Sequence, residues 1–537
     1  MITEIRLQNA RIYDDKDWAF PLTGLTILCG TNSAGKSTVL KCLLLLAQNV
    51  TGRGPTSSLR RGLTLKFSNP YSDLGNFRSF VSHNAVEREL HLGVSIESLM
   101  QAENYRFLDP SISGGNFGGA TDELPDYRRY SLDADFYFCA LQSFVTLDPS
   151  RSQQVLDLKS EAEDGDEVSE HQAVLRLGRF RITGEDGRIL VEFDVKRVSR
   201  ESGNGVDYIL RMPKNLLESG IEGVAYDYDE DADPAYGLLR LLMSGILPER
   251  VFRGQKALSS APEEAVSRYL ALPTYLEEAF GDLRSSLTRI VYLGPLRAAA
   301  RRFYPIHSDP SFFSDATGET LPLLLRDRGA SVVTSAAPVT HSPVRCALAE
   351  AVDSWLFFLR TGSHDRARYS KREIKISSME DAFVELGIRS SGGAETHALA
   401  DSGFGYSQLL PILVRGLMLV PGGTLIVEQP EVHLNPSLQV RLCDFLVAMA
   451  SVNKQIIVET HSEHVVNAVR ALTAEGAQIV ARGGCTVLYL DTADGRPHLH
   501  KLSLLPDGSI PDWPEGFFGE AAQLLGRIMR AKTGLKV

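Results

Sequence analysis

Residues 30–38 read G-T-N-S-A-G-K-S-T and fit the phosphate-loop pattern G-x-x-x-x-G-K-[ST]. Residues 25–29 before it form an apolar run suited to a buried strand, and residues 37–50 after it form a leucine-rich helical run. Between a strand and a helix, such a loop turns backbone N–H groups toward phosphates, and the helix dipole adds to the attraction. Lys36 is then expected to reach the β- and γ-phosphates, and Ser37 to place its hydroxyl on Mg²⁺. The sequence thus predicts an ATP site with Mg²⁺ that contains Gly30, Asn32, Ser33, Gly35, Lys36, Ser37 and Thr38.

Composition narrows the class of protein. A chain of 537 residues is too long for one compact core, so two or three lobes are expected. The net charge of −11 disfavours binding of nucleic acid by the whole surface, although it leaves room for a local basic groove. No apolar run approaches the ~20 residues that span a bilayer, and the N-terminus is polar and acidic from the start. We therefore expect a cytoplasmic protein that does not enter a membrane.

A second group of strands and helices lies near the end of the chain. Apolar runs at 423–428, 455–461 and 486–490 read as strands, and the stretches 438–452 and 463–472 between them have helical patterns. Strands that alternate with helices are typical of a parallel sheet covered on both faces. The chain is therefore predicted to be α/β, with the two parts of the nucleotide-binding fold separated by a long insertion.

The insertion mixes strand and helix patterns. Residues 174–195 and 206–212 alternate like antiparallel strands, whereas 238–246 and 263–287 look helical. Residues 2–12 alternate loosely and suggest an edge strand of the nucleotide-binding fold. No heptad repeat extends over several heptads, which argues against a long coiled-coil arm.

Acidic and histidine residues follow two of the late strands. Glu428 ends the first strand, at the carboxyl edge where open α/β sheets bind ligands, and a carboxylate there holds Mg²⁺. The ordinary alternative is a strand that ends in a solvated glutamate. Glu431 is the next acid available to orient or deprotonate water, or else it is a first-turn acid favoured by the helix dipole. His461, after the next strand, is expected either to contact the γ-phosphate or to have only a structural role.

The segment D-S-G-F-G-Y-S-Q at 401–408 precedes an apolar helix. Its glycines expose backbone N–H groups, Ser407 is a good helix cap, and Pro411 is tolerable in the first turn. The segment is therefore either an anion site at a helix N-terminus or a plain capped helix.

The order of these motifs resembles that of ABC-type ATPase heads. More narrowly, D-S-G-F-G-Y-S-Q-L-L-P, V-E-Q-P-E-V-H-L-N-P and V-E-T-H-S-E look like the AAA-labelled ABC ATPases related to the overcoming-lysogenization-defect proteins. Y-L-G-P-L-R at 292–297 and W-P-E-G-F-F at 513–518 look like the stand-alone members of that group. The resemblance implies an ABC-type head with a parallel core, an antiparallel β subregion and a large α+β insertion. It also implies ATP hydrolysis at the interface of a head-to-tail homodimer or higher oligomer.

The resemblance further implies roles for individual residues. Lys36 and Ser37 bind phosphate and Mg²⁺, Gln48 corresponds to the metal-binding glutamine after the first helix, and Glu428 is the Walker B acid. His461 is the switch histidine. The signature that closes over the ATP of a second subunit is Gly403, Gly405, Ser407 and Gln408.

The sequence departs from the family pattern in two places. Many ABC heads carry glutamate directly after the Walker B acid, and here that residue is Gln429, which either slows turnover or moves the expected base to Glu431. Related proteins carry a Toprim nuclease domain, but only 76 residues follow His461 and they lack an Asp-x-Asp strand end. Any nuclease activity is therefore expected from a separate effector protein.

The sequence leaves three functions open. The first is an ATP-driven sensor or regulator of a bacterial anti-phage defence module with such an effector. The second is an SMC-like ATPase of DNA repair or chromosome maintenance, with the basic stretch 360–375 either on DNA or as a solvated loop. A transporter ATPase is disfavoured because membrane segments are missing.

The predicted divisions of the chain are an N-terminal head part (1–80), an inserted region (81–288), a helical linker lobe (289–400) and a C-terminal head part (401–537).

Overall fold

The computed structural model describes most of the chain, and all structural statements below concern that part. The described residues are 1–50, 65–69, 72–109, 127–140, 173–199, 206–220, 227–228, 235–252, 269–306, 316–363, 373–379, 382–389, 395–402, 404–476, 484–493, 495–514, 524 and 526–530. Gly403, residues 364–372 of the basic stretch and residues 515–518 of the W-P-E-G-F-F segment lie outside them.

The β-strands are numbered in chain order. They are β1 Ile2–Gln8, β2 Trp18–Pro21, β3 Leu25–Gly30, β4 Ser68–Asn69, β5 Ser72–Asp73, β6 Leu90–Gln101, β7 Tyr127–Ala140, β8 Ala173–Gly184, β9 Ile189–Ser199, β10 Val206–Pro213, β11 Asp227–Tyr228, β12 Tyr236–Ser244, β13 Leu247–Phe252, β14 Tyr269–Ala271, β15 Ile290–Leu293, β16 Tyr304–Pro305, β17 Val332–Ala336, β18 Pro343–Ala347, β19 Ile374–Met379, β20 Phe383–Arg389, β21 Thr396–Ala398, β22 Thr424–Glu428, β23 Gln455–Glu459, β24 Cys485–Ala493 and β25 Arg496–Ser503.

The α-helices are numbered in the same way. They are α1 Lys36–Asn49, α2 Phe77–Phe80, α3 Ala102–Leu108, α4 Lys214–Gly220, α5 Thr274–Thr288, α6 Leu321–Arg328, α7 Leu348–Thr361, α8 Phe404–Met418, α9 Pro436–Ser451 and α10 Glu463–Ala474.

The chain forms two compact units, and each is made of two separate stretches. The first unit contains Met1–Pro21 and Thr38–Ile290, and the second contains Leu22–Ser37 and Val291–Val537. The boundary therefore falls inside α1, just after the phosphate loop.

The first unit is built on one long sheet. In the described residues its order is β14-β13-β12-β10-β9-β8-β7-β6-β1-β2, with β11 paired to β12. The pairs β8–β9 and β9–β10 are antiparallel, which confirms the prediction for 174–195 and 206–212.

Two predictions for this unit are wrong. Residues 2–12 do not supply an edge strand, because β1 lies between β6 and β2 in the antiparallel sheet. Residues 238–246 are not helical but lie mostly in strand β12, which pairs with β10 on one side and β13 on the other. Gly245, at a φ of 60°, makes the turn between β12 and β13, and this hairpin overrides the helical appearance of the leucine-rich run.

The second unit contains a six-stranded sheet in the order β15-β22-β23-β3-β24-β25. The pairs β22–β23, β23–β3 and β3–β24 are parallel, and β25 is an antiparallel edge. All five residues of β22 and of β23 are buried, as expected where helices cover both faces of a sheet. The fold is therefore mixed α/β, as predicted, with parallel pairs beside the phosphate-loop strand and antiparallel sheets elsewhere.

Helices predicted from the sequence surround this sheet. Helix α9 begins after Asn435, whose side chain accepts a hydrogen bond from the N–H of Leu438. Helix α10 begins after Ser462, whose side chain accepts a hydrogen bond from the N–H of Val465. The core of the unit includes Trp355 of α7, which packs edge-on against Phe445 of α9.

No helix of the described residues is long and apolar enough to cross a bilayer. All six cysteines are free thiols, and Cys29, Cys42, Cys139 and Cys443 are buried.

Candidate functional site

The phosphate loop leaves strand β3 through a glycine that no other residue could replace. Gly30 has a φ of 136°, and a Cβ atom there would lie 1.8 Å from the carbonyl oxygen of Leu490. Further along, Ser33 and Gly35 also have positive φ values of 61° and 93°. The loop is thus a tight, left-handed turn whose shape depends on its glycines. Asn32 and Ser33 are exposed at its tip, and Thr38 is buried beyond it in α1.

Lys36 folds back over this loop. Its ammonium group donates hydrogen bonds to the carbonyl oxygens of Thr31, at 2.6 Å, and Gly30, at 3.3 Å. The residue is buried, and burial lowers the pKa of the Lys36 amine while the nearby Glu459 carboxylate opposes that shift. A lysine held this way has two neutral carbonyl partners, which the negatively charged oxygens of a triphosphate can replace.

Ser37 contacts a carboxylate that the motifs did not indicate. Its hydroxyl donates a 2.8 Å hydrogen bond to Oε1 of Glu459, the last residue of β23. Glu459 is 3% exposed and pairs in register with Glu428 at the end of β22. Two glutamates therefore stand side by side at the carboxyl edge of the sheet.

Glu428 is braced by residues of the 292–297 segment. The hydroxyl of Tyr292 donates a 2.9 Å hydrogen bond to Oε1 of Glu428, and Arg297 donates to the Glu428 backbone carbonyl at 2.8 Å. Burial and the Glu428 charge raise the pKa of Tyr292, so this hydroxyl keeps its proton. Burial lowers the pKa of Arg297 to about 10, which leaves it charged at neutral pH.

The chain after Glu428 turns sharply toward β23. Gln429 has a φ of 45°, and its N–H donates to the carbonyl oxygen of Glu459 at 2.7 Å. Glu431 then accepts a 2.7 Å hydrogen bond from the N–H of His461 through Oε1, while its buried Oε2 has no hydrogen-bond partner among the described residues.

His461 is exposed beside the phosphate loop. Desolvation and the Lys36 charge lower the pKa of its imidazole, and interaction with the Gly30 backbone and Glu431 opposes this. The structure thus brings Lys36, Ser37, Glu428, Glu431 and His461 to one edge of the sheet.

The signature residues have a different setting from the one expected. Helix α8 already begins at Phe404, so Ser407 lies inside the helix rather than at its cap, and Pro411 lies in the helix interior. Ser407 and Gln408 are buried, and Gly405 lies near the backbone of His433. Their predicted action on a second subunit's nucleotide stays a prediction.

Gln48 lies in the last turn of α1, in the first unit. Its amide donates a hydrogen bond to the carbonyl oxygen of Lys66. Its role as a metal ligand stays a prediction.

Sequence reasoning missed Glu459 as a site residue and assigned no role to Tyr292 or Arg297. The signal for Glu459 was present, because 424–428 and 455–459 are both apolar runs that end on glutamate.

The side chains present suit a hydrated magnesium ion on a nucleotide. Among the described residues no group of three or more histidine, cysteine, aspartate or glutamate side chains forms a ready cation cage. Mg²⁺ in nucleotide sites needs only one or two carboxylates, with phosphate oxygens and water as the other ligands. The Ser37 hydroxyl and the Glu428 and Glu459 carboxylates supply that kind of donor set.

Two parts of the chain match protein-family models. Residues 357–466 match a model described as an AAA ATPase domain, and residues 4–94 match one described as an AAA domain. The first match contains Glu428, Glu459 and His461, and the second contains the phosphate loop. These matches support the coarse prediction of AAA-type ATPase domains in this chain, whereas the overcoming-lysogenization-defect subgroup stays a prediction.

Similar solved structures are heads of SMC proteins. The SMC head bound to the C-winged helix domain of ScpA is 11% identical, with a TM-score of 0.35 and coverage of 94% of this chain and 98% of that one. The SMC head domain from Thermotoga maritima is 9% identical, with a TM-score of 0.32 and coverage of 94% and 99%. At these scores the likeness is remote, and no property is transferred from those proteins. No relative was found among curated proteins.

Proposed function

We propose that this protein binds ATP with Mg²⁺ at the carboxyl edge of the β22-β23-β3 sheet and hydrolyses it. The observation that carries the proposal is the convergence there of the Lys36 amine, the Ser37 hydroxyl and the buried strand-end glutamates. Lys36 with Ser37, Glu428 and Glu459 come from three separate parts of the chain, and the parallel pairing of the strands aligns them.

The chemistry assigns each side chain a task. Lys36 would exchange its loop carbonyl partners for phosphate oxygens, and Ser37 with Glu428 would hold the ion. Bound Mg²⁺ neutralises charge on the triphosphate. Glu431 is the proposed base, because its buried Oε2 is left available while Oε1 is fixed by the His461 N–H. Gln429 at the position after Glu428 cannot take a proton.

The biological setting is proposed from the motif resemblance. The protein acts as a sensor or regulator of a bacterial anti-phage defence module, as a homodimer or higher oligomer that sandwiches ATP, with a separate effector that is a nuclease. Gly403, Gly405, Ser407 and Gln408 would serve the neighbouring subunit's nucleotide. Co-purification from the native operon tests this setting, and an operon that yields no associated effector would end it.

The alternative is an SMC-like ATPase of DNA repair or chromosome maintenance. Its support is the basic stretch 360–375, in which Lys375 is exposed, whereas Arg360 is held by two hydrogen bonds to Glu373. Charge reversal of Arg368, Lys371 and Arg372 should weaken DNA binding and reduce its salt slope. Unchanged DNA binding would exclude a role for this stretch.

The decisive experiment for the proposed function is nucleotide binding by Lys36→Ala. Loss of a charge-assisted contact should weaken ATP binding about 10- to 100-fold, and turnover should disappear. Lys41→Ala is the matched control, because Lys41 lies on the same helix outside the phosphate-loop motif. Affinities of Lys36→Ala equal to those of wild type, measured by calorimetry, would refute the proposed site.

A further inference from the structure

Glu459 occupies a position between the phosphate loop and the predicted metal carboxylate. Strand β23, which it ends, lies between β3 and β22 in the sheet. Neighbouring strands are about 4.8 Å apart, so Glu459 lies one strand nearer the loop than Glu428 does. The motif pattern assigns the metal to Glu428, but the geometry puts another carboxylate closer to Ser37.

The hydrogen bond between Ser37 and Glu459 leaves the serine oxygen ready for a cation. A hydroxyl has one hydrogen to donate and two lone pairs. Ser37 donates that hydrogen to Glu459 Oε1, so its lone pairs stay available. On the neighbouring strand, Oε1 of Glu428 accepts the hydroxyl of Tyr292.

The charges around Glu459 favour a cation. Glu428, Glu431 and Glu459 bring three carboxylates to the edge, whereas the nearby cations are Lys36 and Arg297. Both cations donate hydrogen bonds to backbone carbonyl oxygens. Because buried charge is costly unless compensated, the excess of carboxylates stabilises a divalent cation there.

We propose that Glu459 is a second carboxylate of the magnesium site, which orients the Ser37 hydroxyl and supplies negative charge toward the ion. The proposal rests on the proposed ATP function. It makes Glu459 a positioning residue for Mg²⁺, alongside Glu428.

Glu459→Gln separates charge from hydrogen bonding. The amide oxygen of glutamine still accepts from Ser37, but the negative charge is lost. Removing charge weakens attraction for Mg²⁺ and, at the same time, reduces repulsion of a metal-free triphosphate. The proposal therefore predicts weaker binding with the ion and equal or tighter binding without it, which a merely structural role would not produce.

The experiment measures the affinity for AMP-PNP, a non-hydrolysable ATP analogue, in excess Mg²⁺ and in EDTA. The ratio of the two affinities is the magnesium enhancement. In Glu459→Gln the enhancement should fall about 10- to 100-fold, the range for groups that support metal ligands, while affinity in EDTA stays equal or rises. Glu475→Gln, an exposed change at the end of α10, alters net charge equally and should leave the ratio unchanged.

Two results would overturn the proposal: a full enhancement in Glu459→Gln, or an equal loss of affinity with and without Mg²⁺. Failure of the ATP function looks different, because wild type would then bind no AMP-PNP, or Lys36→Ala would bind it equally well.

If Glu459→Gln does not fold, two other variants test the proposal. Glu459→Asp keeps the charge, and Ser37→Ala removes the hydroxyl. Ser37→Ala should lose enhancement and Glu459→Asp should retain most of it; the reverse order would refute the proposal. Electron paramagnetic resonance of bound Mn²⁺ gives an independent readout of the ion.

Discussion

The hydroxyl of Tyr292 donates a 2.9 Å hydrogen bond to Oε1 of Glu428, across neighbouring strands β15 and β22. Both residues are buried, and burial keeps the pKa of Tyr292 above its usual value, so the tyrosine acts only as a donor to the carboxylate. Arg297, from the same Y-L-G-P-L-R segment, fixes the backbone carbonyl of Glu428. The segment therefore holds the strand-end acid in one rotamer before any ligand arrives.

Tyr292→Phe tests this bracing. The change removes one hydrogen bond to a buried carboxylate, which costs about 1.5–3 kcal/mol of stability. A misoriented Glu428 should lower magnesium-dependent ATP turnover about 10- to 100-fold, with little change in metal-free nucleotide affinity. Steady-state kinetics at varied Mg²⁺ concentration measure this effect.

Tyr304→Phe is the matched control for that variant. Tyr304 is also buried in the second unit, but its hydroxyl accepts only a backbone hydrogen bond, from the N–H of Arg301, at 2.9 Å. Turnover in this control should stay near the wild-type value. Equal losses in the two variants would show that Tyr292 acts through general stability rather than through Glu428.

Glu431→Gln tests the proposed base. Glutamine can still accept the hydrogen bond from the His461 N–H, so the loop should keep its shape. A lost general base costs about 10²- to 10⁴-fold in rate, while ATP binding should remain. Single-turnover assays with bound ATP distinguish a slower hydrolysis step from weaker ATP binding. Glu463→Gln on α10 serves as the control. Hydrolysis at the normal rate in Glu431→Gln would mean that another group activates the water.

Local patterns predicted the parts of the site that follow regular elements. The phosphate loop, β22, β23 and helices α9 and α10 are readable because apolar runs and capping residues such as Asn435 and Ser462 mark them. What the sequence could not show is pairing across the chain. The contact of Ser37 with Glu459 joins residues 422 positions apart, and only the sheet order creates it.

Other expectations failed for a related reason. The run around 238–246 is rich in leucine and looked helical, yet strand partners on both sides and the turn at Gly245 fix it as β12. Ser407 has the chemistry of a cap, but α8 begins earlier and buries it. In each case tertiary packing outweighs local propensity.

Gly30→Ala tests the entry to the phosphate loop. The added Cβ would lie 1.8 Å from the Leu490 carbonyl oxygen, at a φ that alanine avoids, so strand β3 and strand β24 must move apart. We expect a loss of more than about 3 kcal/mol in the free energy of unfolding. In Gly422→Ala the φ is also positive, at 82°, but nothing lies within 4 Å of the new Cβ. That control should lose only about 1–2 kcal/mol, and equal losses in the two variants would contradict the steric account.

The side chain of Lys454 is buried against the C-terminal end of helix α8. Lys454 is only 1% exposed. Its amine donates hydrogen bonds to the carbonyl oxygens of Gly416 and Leu417, each at 2.9 Å. Burial lowers the pKa of Lys454 to about 7. A neutral amine still carries two N–H groups, so deprotonation keeps both hydrogen bonds.

This predicts stability that rises with pH above neutrality. In the unfolded chain Lys454 keeps its usual pKa near 10.5, so between about pH 7 and pH 10 the unfolded state binds a proton that the folded state lacks. The free energy of unfolding then increases with pH, by at most about 1.4 kcal/mol per pH unit from this group. Lys454→Met removes the titration, so the difference between wild type and variant in urea unfolding should shift in favour of wild type from pH 7 to pH 9. Other ionisable groups cancel in that difference, and a difference that stays constant with pH would mean that Lys454 remains charged in the folded protein.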